Sequence, residues 1–389
     1  TPLHSSAASD VYKRQLMQSD NLFYKFYYQW WKNIDKSIFT LISLLFIIGL
    51  FFSLVSTSLI ASDKLDTNSY FFFFKHLVYV LIGISIIFIF SSFNTDQLFK
   101  YSIILFFISL FSLFLVPIIG IEVKGSKRWI DLFFLPRFQP IEVLKPFLII
   151  TLATILCSNK ANIISKYLLS ILIITLISSL LIIQPDIGQT LLVIFSWAVL
   201  IFTSGINLYL LIAIFLFSSV LLAYLIIFVP KFEYIQGRIF SFFDRETGSH
   251  NFQSDKAIES ITSGGFFGKG IGEGTLKNNV PEAHTDYIIS VISEEFGVVA
   301  IMLILLLFLI FIYMVLKKIN FETNDKIKLI LIGSISLILM QATIHIGVNI
   351  RLFPTTGMTL PFLSYGGSSI VSTSILAGII LNLTKRKIN

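Results

Sequence analysis

The sequence predicts an all-α polytopic membrane protein with about ten transmembrane helices and one large extracytoplasmic loop between helices 7 and 8. Hydrophobic residues make up 55% of the 389 residues and charged residues only 13%, and the mean hydropathy is +0.85. A soluble domain of this size would expose much of that apolar surface to water. The polar connection at 231–286, roughly 50 residues long, far exceeds the length of a turn, which favours a functional role for it.

Ten runs of Ile, Leu, Phe and Val are each near the ~20 residues that a helix needs to cross the hydrocarbon core. In chain order they are 38–61, 71–91, 101–121, 141–157, 167–183, 187–203, 208–229, 287–316, 327–350 and 360–383. The run at 167–203 is too long for one span. Gln184-Pro185-Asp186 divides it, because proline interrupts a helix and a carboxylate avoids hydrocarbon.

The amino terminus is set apart from the membrane domain. Within residues 1–16, the stretch SSAASDVYKRQ resembles a translated sequencing adapter, so the native chain would begin near Met17; a disordered polar tail is the alternative. Residues 17–37 are predicted to form a cytoplasmic segment, 38–384 the membrane domain that contains the loop, and 385–389 a cytoplasmic tail.

Basic residues predict the orientation. Connections on the side of the amino terminus carry 13 Lys and Arg, and those on the opposite side carry 12, six of them in the long loop. Long segments translocate regardless of charge, so the six basic residues of the long loop are left out of the count. The short connections then carry 13 basic residues on the side of the amino terminus and 6 on the opposite side. This difference predicts that both termini lie in the cytoplasm and that the loop lies outside. The net charge of +7 fits anionic head groups better than nucleic acid. Cys157 is the sole cysteine, which excludes an intrachain disulfide.

Polar residues flank the predicted fourth span on its outer side. Lysine and arginine at an interface bind phosphates, and arginine does so through two parallel hydrogen bonds. The candidates for binding a substrate or its pyrophosphate here are Lys124, Lys127, Arg128, Gln139, Glu142 and Lys145. The alternatives are snorkelling cations with Trp129 as an interfacial anchor, and a simple ion pair between Glu142 and Lys145, three residues apart.

Two aspartates mark the points where the chain re-enters the membrane. Asp186 precedes the sixth span, and Asp286 ends the motif PEAHTD before the eighth. Intramembrane carboxylates are functional candidates, so Asp186 and His284 are assigned to substrate binding and Asp286 to acid–base catalysis. Helix capping is the alternative for both aspartates. A third zinc ligand is lacking at a suitable spacing from His284 and Asp286.

Glycines and prolines are frequent in the connections predicted to lie on the outer side. Backbone amides of the glycine-rich stretch 263–274 could wrap a pyrophosphate, although such stretches are more often tight turns and the P-loop pattern is absent. Structural roles are assigned to Gly264, Gly265, Gly268, Pro281, Pro361, Gly366 and Gly367, the last two through close helix packing. Arg351, which follows the ninth span, is a further candidate for phosphate binding.

Seven motifs in this order resemble the SEDS (shape, elongation, division and sporulation) family of bacterial cell-wall proteins. They are GSKRW at 125–129, QPIE at 139–142, QPDIG at 184–188, SGGFFGKG at 263–270, PEAHTDY at 281–287, EEFG at 294–297 and LPFLSYGGSS at 360–369. PEAHTD, GIGEG and QPDIGQT are more similar to the division branch, FtsW, than to the elongation branch, RodA. Two residues depart from the pattern: Ile141 replaces the usual serine, and Thr356 stands where many FtsW-like chains have lysine. The second departure weakens the branch assignment.

The resemblance implies a peptidoglycan glycosyltransferase that polymerises lipid II, an undecaprenyl-pyrophosphate disaccharide-pentapeptide, into glycan strands. Asp286 matches the family's catalytic aspartate and would act as the general base in one inverting displacement. Lys127, Arg128 and Arg351 would bind the leaving pyrophosphate, which a divalent cation (Mg²⁺ or Mn²⁺) could assist, and no organic cofactor is expected.

The implied setting is the bacterial cytoplasmic membrane at the division septum. The implied partners are a class B penicillin-binding transpeptidase, other divisome proteins and membrane lipids. A lipid II flippase is the alternative from another class, because charges within spans are typical of transporters. A non-catalytic scaffold for a transpeptidase is the third reading.

Overall fold

The computed structural model describes residues 22–64, 70–123, 126–132, 135–159, 162–229 and 252–385, with isolated positions at 233, 236–237, 240 and 242. The predicted tail 1–16, the ends 17–21 and 386–389, and most of the segment 230–251 lie outside these residues, as does Lys124. Within the described part, a helix lies at each of the ten predicted span positions.

The helices are α1 (Leu22–Asn33), α2 (Lys36–Lys64), α3 (Phe71–Ser92), α4 (Thr95–Ile119), α5 (Pro140–Leu156), α6 (Ile163–Ile183), α7 (Ile187–Thr203), α8 (Leu208–Phe228), α9 (Phe252–Gly264), α10 (Ile288–Phe321), α11 (Asp325–Asn349) and α12 (Gly367–Leu383). Seven of those described, α2, α3, α4, α6, α8, α10 and α11, are long and apolar enough to cross a membrane, and α7 and α12 are apolar but shorter. The multi-pass helical fold is confirmed. The count of ten spans stays a prediction.

A small antiparallel sheet, which the sequence did not predict, joins α4 to α5. Its strands are β1 (Ile121–Val123), β2 (Ser126–Leu132) and β3 (Leu135–Phe138), hydrogen-bonded in the order β1-β2-β3. Side chains alternate along a strand, so Ser126 is buried while Lys127 is exposed. β3 leads directly into Gln139, the residue before α5.

The two short helices α5 and α12 form the centre of the bundle. Nearly every residue of both is buried. Small residues permit the close packing: a Cβ at Gly83 of α3 would lie 2.5 Å from Ser374 Oγ, and one at Gly378 would lie 2.7 Å from Phe90 Cβ. α8, by contrast, has none of its span buried.

The last helix begins later than predicted. Residues 360–366 form a turn before Gly367, and Phe362 has a φ of 66°. This turn packs its backbone against α2, where a Cβ at Gly49 would lie 2.7 Å from Phe362 O. The apolar run at 360–366 predicted helix, but Pro361 and this close backbone contact keep the segment in a turn.

Candidate active site

A cavity of about 540 Å³ lies between the sheet and the helix bundle. Its walls come from the sheet, segment 282–287, segment 355–359 and the amino-terminal ends of α5, α7 and α12. The residues at those three helix starts, Gln139, Asp186 and Gly366, all line it. Helix amino termini carry partial positive charge, so the cavity is suited to a ligand that bears an anion.

Arg128 and Asp186 form one wall of the cavity. The Arg128 guanidinium donates to Gln184 O at 3.2 Å and to Pro185 O, and its Nη1 lies 3.7 Å from Asp186 Oδ1. Asp186 Oδ2 accepts from Gln139 Nε2 at 2.9 Å. Burial raises the pKa of the Asp186 carboxyl, and the Arg128 guanidinium opposes that shift. Asp186 also caps α7 by accepting from Gln189 N at 3.4 Å.

Glu142 and Lys145 of α5 make the ion pair that their spacing suggested, with 2.9 Å between Nζ and Oε1. Lys145 is fully buried, and its ammonium also donates to Gln341 Oε1 at 3.2 Å. Gln189 Nε2 donates to the same Glu142 oxygen at 2.6 Å. Glu142 lines the cavity, whereas Lys145 lies behind it. The Lys145 charge is therefore neutralised by Glu142.

Asp286 lines the cavity from the segment that precedes α10. Its backbone oxygen accepts from Asn349 Nδ2 at 3.0 Å, which ties the segment to α11. The residue at the N-cap position of α10 is Tyr287, one residue beyond Asp286. Glu282, also in the wall, has a φ of 56°. An uncommon conformation of this kind is often found at functional sites.

His284 packs beside the cavity. Its ring lies 4.7 Å from that of Phe72 and 5.7 Å from that of Tyr365, measured between centroids, and its backbone oxygen accepts from Tyr365 N at 3.1 Å. Tyr365 itself lines the cavity. A tyrosine phenol is protonated at neutral pH, so Tyr365 can donate a hydrogen bond into the cavity.

The structure does not bring the three predicted cations together. Lys127 is exposed on β2, and Arg351, with a φ of 57°, pairs with Asp255 of α9. Among the described residues that line the cavity, the cations are Arg128 and Arg137, and Arg137 had not been predicted. Phosphate binding by Lys127 and Arg351 stays a prediction.

The glycine-rich stretch packs against α10 rather than lining the cavity. A Cβ at Gly264 would lie 1.9 Å from Ser293 O, and one at Gly268 would lie 2.2 Å from Glu295 O. Gly297, whose φ is 75°, interrupts α10 at this contact. The backbones therefore approach so closely that only glycine fits at these positions.

Two buried glutamates of α10 hold that stretch in place. Glu294 accepts from Lys269 Nζ at 3.0 Å and from Lys277 N at 2.6 Å, and Glu295 pairs with the Lys277 ammonium. Lys277 is fully buried. The sequence did not indicate the partners of these two glutamates.

Metal binding by side chains alone has little support in the described part of the chain. No group of three or more His, Cys, Asp or Glu residues there could hold a metal ion. A divalent cation would have to take most of its ligands from phosphates or water, as Mg²⁺ often does.

Several residues of the wall were not recognised in the sequence. They are Gln189, Gln253, Thr285, Thr359, Tyr365, Ser368 and Ser369. Ser368 Oγ accepts from Gln139 N at 3.0 Å, and Thr359 Oγ1 donates to Ser369 Oγ at 2.6 Å. Motif membership is the signal that could have found most of them. Thr285, Tyr365, Ser368 and Ser369 lie inside the motifs at 281–287 and 360–369, and Gln189 and Thr359 lie directly beside the motifs at 184–188 and 360–369. Gln253 has no such signal.

Apolar helices around a polar cavity that contains carboxylates define a polytopic membrane protein with a buried polar site. The chain belongs to the cell cycle protein family of FtsW, RodA and SpoVE, whose family model matches residues 35–389. The resemblance to SEDS proteins is thereby confirmed.

Three curated relatives match over most of their length, and each of the three is named probable peptidoglycan glycosyltransferase FtsW. The Wigglesworthia glossinidia brevipalpis protein is 33% identical over 357 residues, which cover 89% of this chain and 92% of the relative. The Coxiella burnetii protein is 31% identical over 340 residues, covering 84% and 90%. The Caulobacter vibrioides protein is 29% identical over 363 residues, covering 92% and 91%.

Solved structures agree on the fold. A chain of a peptidoglycan synthase complex, described as coordinating polymerization and crosslinking, superposes with a TM-score of 0.74 at 25% identity, covering 90% of this chain and 97% of that one. The Thermus thermophilus rod shape determining protein RodA superposes with a TM-score of 0.66 at 25% identity, covering 90% and 96%.

Proposed function

We propose that this protein polymerises lipid II into glycan strands during cell division, with Asp286 as the general base. Its family and the shared name of its relatives identify the chain as a peptidoglycan glycosyltransferase. The observation that carries the proposed mechanism is the position of Asp286 in the wall of a cavity onto which three helix amino termini also open.

The reaction needs a base because a sugar hydroxyl is a poor nucleophile until its proton is removed. The Asp286 carboxylate would take that proton as the acceptor hydroxyl attacks the anomeric carbon of the donor. An α-linked donor that becomes a β-linked product requires one inverting displacement, in which the bond to the pyrophosphate oxygen breaks as the new glycosidic bond forms. No covalent enzyme intermediate is needed.

The leaving group is undecaprenyl pyrophosphate, an anion at the membrane surface. Arg128, Arg137 and the helix amino termini at Gln139, Asp186 and Gly366 supply positive potential in the cavity wall. A divalent cation, Mg²⁺ or Mn²⁺, could bind the phosphates and stabilise the departing charge.

The proposed setting is the division septum, with a class B penicillin-binding transpeptidase as the partner. The FtsW names of the relatives and the likeness to a chain of a peptidoglycan synthase complex support this assignment. Other divisome proteins are proposed to join through the same complex. Thr356 lines the cavity. Many FtsW-like chains have lysine at this position, whereas RodA-like chains often have threonine. RodA-like function in elongation is therefore the second candidate.

The decisive experiment is polymerisation of lipid II by purified protein in detergent, with and without the partner. A flippase would make no polymer, because it only moves lipid between two sides of a membrane and detergent provides no second compartment. A scaffold would make none, because it does not catalyse the reaction. We expect Asp286→Asn and Asp286→Ala both to fold and both to lose polymerisation by about 100-fold or more, the scale of general-base loss.

The asparagine variant separates catalysis from helix capping, because asparagine caps a helix about as well as aspartate does. If Asp286→Asn remains largely active, Asp286 is removed from catalysis. Glu282, which lines the same cavity, is then the next candidate for the base.

A further inference from the structure

The inner wall of the cavity presents two buried oxygen atoms that accept no hydrogen bond from the described residues. They are Glu142 Oε2 and Gln189 Oε1. Both residues line the cavity, and each is only 4% exposed. A buried acceptor without a donor is unfavourable, and native structures rarely leave one unpaired. Two such atoms on one wall therefore point to a ligand that donates hydrogen bonds.

The direction of the Gln189 amide is fixed by its neighbour. Gln189 Nε2 donates to Glu142 Oε1 at 2.6 Å. Reversing the amide would place its oxygen against the carboxylate oxygen, two acceptors at hydrogen-bond distance. Oε1 must consequently face away from Glu142 Oε1, as an acceptor and not as a donor.

Charge distinguishes between the ligands that such acceptors could bind. Glu142 is paired with Lys145 at 2.9 Å, and Asp186 lies 3.7 Å from Arg128. Two carboxylates and two cations leave this part of the wall with no net charge. A metal ion would meet the Lys145 ammonium close behind Glu142, and a phosphate would meet two acceptor oxygens. A neutral donor, such as a hydroxyl or an amide N–H, satisfies both atoms without unbalanced charge.

We propose that Glu142 and Gln189 form a subsite that accepts hydrogen bonds from the hydroxyl or acetamido N–H groups of a sugar ring bound in the cavity. This inference rests on the proposed function and names the part of the substrate that the inner wall recognises. Because Asp286 lines the same cavity, the subsite would orient the sugar relative to the base, and Gln189 acts as a specificity-determining residue.

The test combines substrate analogues with a side-chain change. The probes are short-chain lipid II and analogues that lack one sugar hydroxyl or carry an N-methylated acetamide. Their binding is measured to detergent-purified protein carrying Asp286→Asn, which prevents turnover. We expect at least one analogue to bind about tenfold more weakly than lipid II, the scale of one hydrogen bond to a buried acceptor. In the Gln189→Met background that difference should disappear.

Gln341→Met is the matched control. Gln341 is also buried, but its amide is satisfied by Lys145 Nζ at 3.2 Å and by Thr359 O at 3.0 Å, and it does not line the cavity. This variant should retain the full discrimination among analogues. A second change, Gln189→Asn, keeps an amide but withdraws its oxygen by one methylene, and it should lose the same discrimination.

Two results would overturn the subsite. One is an equal penalty for every analogue whether or not Gln189 is present. The other is Mn²⁺ binding by the lipid-free protein, measured by electron paramagnetic resonance, that Gln189→Met abolishes, because the wall would then be a cation site. If the unmodified protein polymerises lipid II and either result is found, only the subsite is wrong. If it neither binds nor polymerises lipid II, the proposed function fails and the subsite fails with it.

Discussion

Arg128 illustrates how one side chain can serve both the fold and the chemistry. Its guanidinium donates to two backbone oxygens in the turn between α6 and α7 and faces Asp186 at 3.7 Å. The same group lines the cavity. A planar fork of donors can make these contacts together, whereas a lysine ammonium lacks that geometry. Arg128 therefore positions the start of α7, and in the proposed mechanism it would also supply positive charge for the leaving group.

We predict that Arg128→Ala weakens lipid II binding and lowers turnover, and that Arg128→Lys restores only part of the loss. The measurement is the dependence of polymerisation rate on lipid II concentration. Lys328→Ala is the control, because its side chain is 36% exposed, pairs with Asp325 at 3.2 Å and does not line the cavity. If Arg128→Ala binds and polymerises lipid II as well as the unmodified protein, Arg128 is an interfacial anchor only.

Individual site residues could be predicted where a charged group stands at the point at which the chain re-enters the membrane. Asp186 and Asp286 are of this kind, and both line the cavity. Gln189 and Ser368 were not assigned to the site, because each is a polar residue at a helix start whose sequence context is equally consistent with helix packing. Only the tertiary arrangement shows that Ser368 Oγ meets Gln139 N, 229 residues away in the chain.

At the scale of elements, helices were predictable and strands were not. Apolar runs of bilayer length are the strongest signal in a sequence, and each predicted run contains a helix. The strands β1 and β3 have 3 and 4 residues, too few for an alternating pattern to emerge. The late start of α12 depends on the backbone contact between Gly49 and Phe362, which no local pattern encodes.

The attachment of the glycine-rich stretch to α10 leads to a second prediction. Lys277 and Glu295 form a pair in which both side chains are fully buried. Removing one partner of a buried pair costs about 3–5 kcal/mol, because the other charge is left uncompensated. We expect Lys277→Met to lower the thermal stability clearly and to make the segment before Asp286 more sensitive to protease.

Lys256→Met provides the comparison for that experiment. Lys256 pairs with Glu259 at 2.6 Å on α9, with side chains 33% and 48% exposed. Pairs of this kind contribute about 0–1 kcal/mol, so the melting temperature should hardly change. Equal stability of the two variants would show that the buried pair does not hold the stretch against α10.

At the scale of the whole molecule, the orientation of the chain in the membrane can be tested directly. The charge distribution predicts that the long loop is outside and that the connection between α10 and α11 is cytoplasmic. Thr275 and Thr323 are exposed on these two connections. They form a matched pair of positions for accessibility measurements.

In a Cys157→Ser background, we predict that Thr275→Cys reacts with a membrane-impermeant thiol reagent in intact spheroplasts. Thr323→Cys should react only after lysis. The reversed pattern would invert the topology and place Asp286 on the cytoplasmic side, which is incompatible with glycan synthesis outside the cell.

The ion pair within α5 also bears on how the chain enters the membrane. A charged side chain within a transmembrane helix makes insertion of that helix less favourable. Glu142 and Lys145 are three residues apart on one helix, so they can neutralise each other as soon as α5 forms, before any other helix arrives. The partner of Asp186 is Arg128, 58 positions earlier in the chain. The Asp186 charge is therefore balanced only after the sheet has placed Arg128 beside it. We therefore expect α5 to insert into the membrane without help from other helices. The start of α7 should reach its final position only after β2 has packed against it and Arg128 faces Asp186.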